Sequence, residues 1–257
     1  MKMSDSRQLK DFFILTAPRS GSTVLTRTLD QHPQVFCAGE LFHPSDKIYH
    51  PEWHFPFIGT KKKKGFSRKI FSVTNYINGY ISGVSFIKKF YSTRNEKTIR
   101  GFKLMMGHTK DFPTVWNYLK DHELKIIVLI RKNTFREALS SFRARKIGVF
   151  HSAEDSSLAN KKINIDAALL KKRVDELEAV NANILRLSEG KNRIVITYEE
   201  FEEWQTMLDK TFDFLGVEKI EMQPELRKIS AENWRNGVEN YHQVETAMQE
   251  KYAHFLK

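Results

Sequence analysis

Apolar residues along the chain keep two rhythms. Short runs rich in aliphatic, β-branched or aromatic residues recur at Phe12–Thr16, Val35–Ala38, Ile99–Met105, Lys125–Ile130 and Arg193–Thr197 and read as strands. Between them lie helical stretches at Ser22–Gln31, Thr114–Asp121, Thr134–Arg145, Ile165–Leu187, Glu199–Leu215 and Asn240–Phe255. In the longest of these, Leu170, Val174, Leu177, Ile184 and Leu187 repeat at close to the helical period, with charges on the other side and Gly190 placed as a C-cap. Strands alternating with helices predict a doubly wound, three-layer α/β/α domain on a parallel sheet of about five strands. Residues 43–98 show no clear period and read as an irregular, basic insertion within a single domain spanning 1–257.

The length of 257 residues suits one large α/β domain, and 40% hydrophobic residues with 19 Phe exclude a disordered chain. The single cysteine, Cys37, excludes an internal disulfide framework or a cysteine-based zinc site. The polar N-terminal lead is followed by too few apolar residues for a signal peptide, and no window is long and apolar enough to span a bilayer, so a cytoplasmic address is expected. The net charge of +11 is local: twelve Lys and Arg against one acid, Glu96, lie between Lys61 and Lys103, and the rest of the chain is neutral. That segment suggests an anionic partner or membrane surface, against the plainer alternative of a solvated charge run.

Candidate chemistry starts where the first strand ends. Thr16-Ala17-Pro18-Arg19-Ser20-Gly21-Ser22-Thr23 places a turn before a helix whose first amides are unpaired, a favourable place for an anion, with Arg19 as a planar fork of donors. The loop lacks the glycine and lysine of a Walker loop: Ser22 stands in the lysine's place. The fourth strand runs straight into Arg131 with no acid to hold Mg²⁺, so nucleoside triphosphate hydrolysis is disfavoured. That strand delivers Arg131 to its carboxyl end, where open parallel sheets bind ligands, and Ser140 follows about two turns into the next helix.

These two motifs together resemble the sulfotransferase family, which uses 3′-phosphoadenosine 5′-phosphosulfate (PAPS). Pro18-Arg19-Ser20-Gly21-Ser22-Thr23 matches its 5′-phosphosulfate loop, and Arg131 with Ser140 its 3′-phosphate pair. The stretches 32–42, 101–108, 128–145, 196–201, 212–217 and 236–244 extend the resemblance along nearly the whole chain, toward the bacterial carbohydrate branch and the rhizobial nodulation-factor enzymes in particular. The resemblance implies a P-loop-like fold, PAPS as co-substrate without a metal, and a carbohydrate or lipid-linked glycan as acceptor. It also implies a glutamate base, which Glu40 matches, with His108 as its rival. The glycine-rich C-terminal motif of the steroid and phenol enzymes is missing, and Trp234 and Tyr241 are expected to close over the nucleotide in its place. Phe42, Trp53, Phe55 and Phe57 follow Glu40 and suit either sugar stacking or core packing. A nucleotide kinase on the same sheet, or a protein using the basic segment on an anionic surface or nucleic acid, are the competing readings; no nucleic-acid motif is present. The basic segment also suggests peripheral membrane contact.

Overall fold

The computed structural model describes residues 11–43, 49–58, 66–93, 96–147, 162–224 and 233–256, the side chains of 66–72 excepted. Five parallel strands, β1 (Phe12–Thr16), β2 (Val35–Ala38), β3 (Ile99–Met105), β4 (Lys125–Ile130) and β5 (Arg193–Thr197), form one sheet in the order β2-β3-β1-β4-β5. The helices are α1 (Ser22–Gln31), α2 (Phe66–Ser92), α3 (His108–Asp111), α4 (Pro113–Asp121), α5 (Thr134–Ile147), α6 (Ala167–Leu187), α7 (Trp204–Leu215) and α8 (Tyr241–Tyr252).

Alternate residues of each strand face opposite layers, and both layers are apolar. Phe12, Ile14, Val35, Cys37, Ile127, Leu129 and Ile196 pack against Leu25 and Leu29 of α1 and Met207, Leu208 and Phe212 of α7. Phe13, Leu15, Phe36, Phe102, Leu104, Ile126 and Val128 pack against α2, α4 and Ile184 of α6. The chain is thus a three-layer α/β/α protein with a P-loop-like sheet. A third cluster joins α5, α6 and α8 around Phe135, Leu170, Trp234 and Met248.

Register positions the site. Thr16 pairs with Met105 on one side and Leu129 on the other, so β1, β3 and β4 end together. From that edge the chain leaves β1 toward β2 on one side, while β4 and β5 lie on the other, and the crevice between these connections is where open sheets take ligands.

All five strands coincide with the sequence reading. The largest departure is α2, a helix of 27 residues inside the stretch read as irregular; the helix read from Glu199 opens as a 3-10 turn, Tyr198–Glu203, before α7. Its sheet-side positions are Asn75, Gly79, Gly83, Ile87, Phe90 and Tyr91, and its outward side is also apolar, so no polar face reveals the period. A Cβ on Gly79 would lie 2.4 Å from the Phe112 ring, and one on Gly83 2.7 Å from Val115: the glycines allow α2 to approach α4 closely. The basic segment divides in the same way. Arg100 is buried, with its guanidinium 4.2 to 5.0 Å from the ring centroids of Phe36, Phe90 and Trp53, and Lys97 pairs with Asp30 at 3.4 Å. Lys61–Lys64 and Arg94, and the side chains of Arg68 and Lys69, lie outside the described residues.

Candidate active site

The opening loop is folded by its own hydroxyls. Thr16 Oγ1 donates to the Leu129 carbonyl at 2.7 Å and lies 2.6 Å from Ser20 Oγ, which in turn donates to Ala17 O at 2.9 Å. The Ser20 hydroxyl is therefore engaged inside the loop, and Ser20 is fully buried. Arg19 and Gly21 both take left-handed backbone, with φ of 70° and 87°. For Arg19 that conformation costs about 1–2 kcal/mol. Gly21 is held against Tyr198 and Phe201 so closely that a Cβ would fall 2.6 Å from the Tyr198 ring. Gly21 is also the N-cap of α1; no side chain caps this end among the described residues, and no acid sits in the first turn. The first turn, with Ser22 and Thr23, thus keeps its attraction for an anion.

Arg19 reaches across the crevice to the second motif. Its Nε and Nη2 donate to Ser140 Oγ at 3.1 and 3.0 Å, joining the β1–α1 loop to α5. Arg131, at the end of β4, lies 4.2 Å over the Tyr198 ring, and its carbonyl accepts from Asn181 Nδ2 at 2.9 Å. The next two amides, of Lys132 and Asn133, donate to the Glu199 carboxylate at 3.1 and 3.0 Å. Three residues from α6 and the turn after β5 therefore fix Arg131, while its buried Nε has no hydrogen-bond partner among the described residues. Burial and then repulsion by Arg131 lower the pKa of Arg19; Arg136 is lowered by burial, then by Arg131 and Arg235. Arg19, Arg131 and Arg136 thus share one field at the junction of β1, β4 and α5, while Arg235 beside Arg136 is ion-paired with Glu245.

The other half of the site is neutralised internally. Glu40 follows β2, and its Oε1 accepts from Lys103 Nζ of β3 at 3.0 Å; the same ammonium donates to Thr23 Oγ1 at 3.3 Å. One lysine thus ties the anion-facing helix to the candidate base. Burial opposes ionisation of Glu40, but Lys103, His108 and His43 together hold its carboxyl below its ordinary value. His108 opens α3, its ring 6.3 Å from that of Phe42, so both candidate bases stand on this side.

Trp234 and Tyr241 do not join either half. Trp234 is buried, its indole set edge-on to Phe135 at 4.9 Å in the α5–α6–α8 cluster, and the Tyr241 ring lies tilted against His242 at 3.9 Å. No hydrogen bond links either to the opening loop among the described residues. Phe42 and Phe55 are core, both within 5.4 Å of the Phe112 ring, with Trp53 and Phe57 packed beside them. What the motifs left out is the support: Tyr198, Glu199 and Asn181 behind Arg131, and Arg136 beside it. A Tyr-Glu-Glu-Phe run directly after a strand was the available signal for the first two.

Among solved structures, a sulfotransferase from Alicyclobacillus acidocaldarius is similar at 16% identity over 96% of this chain and 98% of its own, with a TM-score of 0.46. The sulfotransferase domain of the Synechococcus PCC 7002 olefin synthase gives 18%, 95%, 86% and 0.45, and a mouse sulfotransferase complexed with PAP gives 12%, 99%, 94% and 0.49. Comparison with curated proteins gives no match. Residues 11–222 match the model of the family described as the sulfotransferase family, a span that takes in the opening loop, Glu40, Lys103, Arg131, Ser140 and Tyr198. With most of the chain matched, the protein belongs to the sulfotransferase family.

Proposed function

We propose that the protein transfers a sulfuryl group from PAPS to a hydroxyl of a carbohydrate or glycolipid acceptor. The observation that carries this reading is the meeting of Arg19 with Ser140 beside Arg131, two anion-binding arms drawn from separate motifs. A donor with a phosphate at each end of its ribose suits two such arms. The buried, unpartnered Nε of Arg131 and the shared field of the arginines fit a strongly anionic guest. The motif stretches shared with the bacterial carbohydrate branch support the acceptor class.

PAPS supplies an already activated sulfuryl group, so the protein's work is to position, to neutralise charge and to take a proton. In this reading Arg131 and Ser140 hold the 3′-phosphate. Arg19, the amides at Gly21–Thr23 and their hydroxyls hold the 5′ end, where charge grows as the bond to sulfur breaks. Glu40, ionised beside Lys103, accepts the proton of the attacking hydroxyl. Lys103 then lies between the carboxylate and the α1 terminus, in position to neutralise charge on either side of the transfer. Removing one such preorganised donor costs on the order of 10²-fold in rate.

The test is incubation of the full chain with radiolabelled PAPS and a panel of glycan and glycolipid acceptors, followed by identification of the labelled product. Label on a sugar hydroxyl is the expected outcome. A panel with no labelled product, together with no thermal shift by 3′-phosphoadenosine 5′-phosphate (PAP), overturns the proposal.

A further inference from the structure

Among the described residues, eight large hydrophobic side chains are exposed. Five of them, Val73, Tyr76, Ile77, Tyr80 and Ile81, sit on α2 at helical spacing and are 48% to 74% exposed. They form one stripe, about 12 Å long at 1.5 Å per residue. The opposite side of the same helix, Asn75, Gly79, Gly83 and Ile87, is the side buried against α4 and the aromatic core. The stripe is therefore turned outward by the packing and has no role in the fold.

Charge sets what it fits. Between Glu52 and Glu96 the sequence contains no acidic residue and nine Lys and Arg, among them Lys61–Lys64, Arg68 and Lys69 before the stripe and Lys88 and Lys89 after it. Lys88 and Lys89 are exposed. Aliphatic and tyrosine side chains bracketed by cations are the pattern of a helix lying in the interface of an anionic bilayer. A second copy of the chain fits worse, since a two-fold contact through this face sets one basic, acid-free helix against another. No described helix is long and apolar enough to cross a membrane, and the buried side of α2 is already committed to α4, so the helix lies on a bilayer rather than across it.

We propose that α2 docks the protein on an anionic membrane surface, with Val73, Tyr76, Ile77, Tyr80 and Ile81 entering the interface and the exposed Lys88 and Lys89 meeting lipid headgroups. The inference is independent of the transfer reaction. It also gives the basic segment a purpose that the anion-binding loops do not use.

The experiment is co-sedimentation of the full chain with vesicles of phosphatidylcholine alone and of phosphatidylcholine mixed with phosphatidylglycerol. Wild type should bind the mixed vesicles at least about tenfold more tightly than the neutral ones. The double variant Ile77→Asp/Ile81→Asp, whose sites are exposed, should keep the wild-type melting temperature and lose about tenfold or more of that binding. Absence of binding to mixed vesicles overturns the proposal. So does binding that the double variant retains and that duplex DNA competes away, which is adsorption by charge alone. A dimer in light scattering that the double variant dissociates assigns the stripe to a second copy and equally overturns it.

Discussion

The two halves of the crevice solve opposite electrostatic problems. Around Arg131, Arg19 and Arg136 share its field, and burial together with repulsion by Arg131 lowers the pKa of both. Around Glu40, the one ammonium is matched by a carboxylate at 3.0 Å. In the proposed reading an anion completes the first half, whereas in the second Lys103 and its neighbours hold the Glu40 carboxyl below its ordinary value. A single lysine, Lys103, spans them through Thr23. In that reading the difference separates binding from chemistry, and each should be breakable without the other.

Glu40→Gln should do most to separate them. Transfer should fall by about 10²–10⁴-fold while PAP still shifts the melting temperature as in wild type. Because its folded pKa lies below 4.5, wild-type rate should hold as pH falls toward that value. A limb near the ordinary imidazole value of about 6.5 would move the role of base to His108. Lys103→Met is expected to cost on the order of 10²-fold in transfer and to raise the pH of the acid limb, since the cation that keeps Glu40 ionised is gone. Unchanged rate and limb would reduce Lys103 to packing. Gly21→Ala forces a Cβ into Tyr198 at a left-handed backbone angle. A loss of about 2 kcal/mol in denaturant melts, with weakened PAP binding, is the expected outcome.

A separate prediction concerns Glu137 on α5, fully buried, with neither carboxylate oxygen hydrogen-bonded among the described residues. Burial raises its pKa from 4.5 to about 8, against the pull of Arg131 and Arg173. A raised carboxyl leaves stability intact below 4.5 and removes it as pH rises toward 8, because the unfolded chain ionises first. Glu137→Gln should therefore melt with wild type at pH 4 and above it at pH 8. A constant difference across that range would show that the group does not titrate in the folded chain.

How much of this was legible in the sequence follows the same division. The strands could be read because both faces are apolar, which leaves short unbroken runs such as Lys125–Ile130. The loop could be read because Arg19, Gly21 and the hydroxyls are local to one turn. The residues that hold Arg131 come from positions 181, 198 and 199, and only the sheet order brings them there. Trp234 is ambiguous in the sequence because a tryptophan serves a lid and a core equally well, and in the fold it is buried edge-on to Phe135. Helix α2 was hidden because glycines on its inner side and apolar residues on its outer side erase the usual amphipathic signal.

The central claim is that the arginine half is built for a nucleotide phosphorylated at both ends. Calorimetric titration of PAP and of adenosine 5′-phosphate into the full chain tests it most directly. PAP should bind at least about tenfold more tightly, and Arg131→Ala should remove that advantage while leaving adenosine 5′-phosphate affinity nearly unchanged. Equal affinity for the two nucleotides in the wild-type protein would contradict the account.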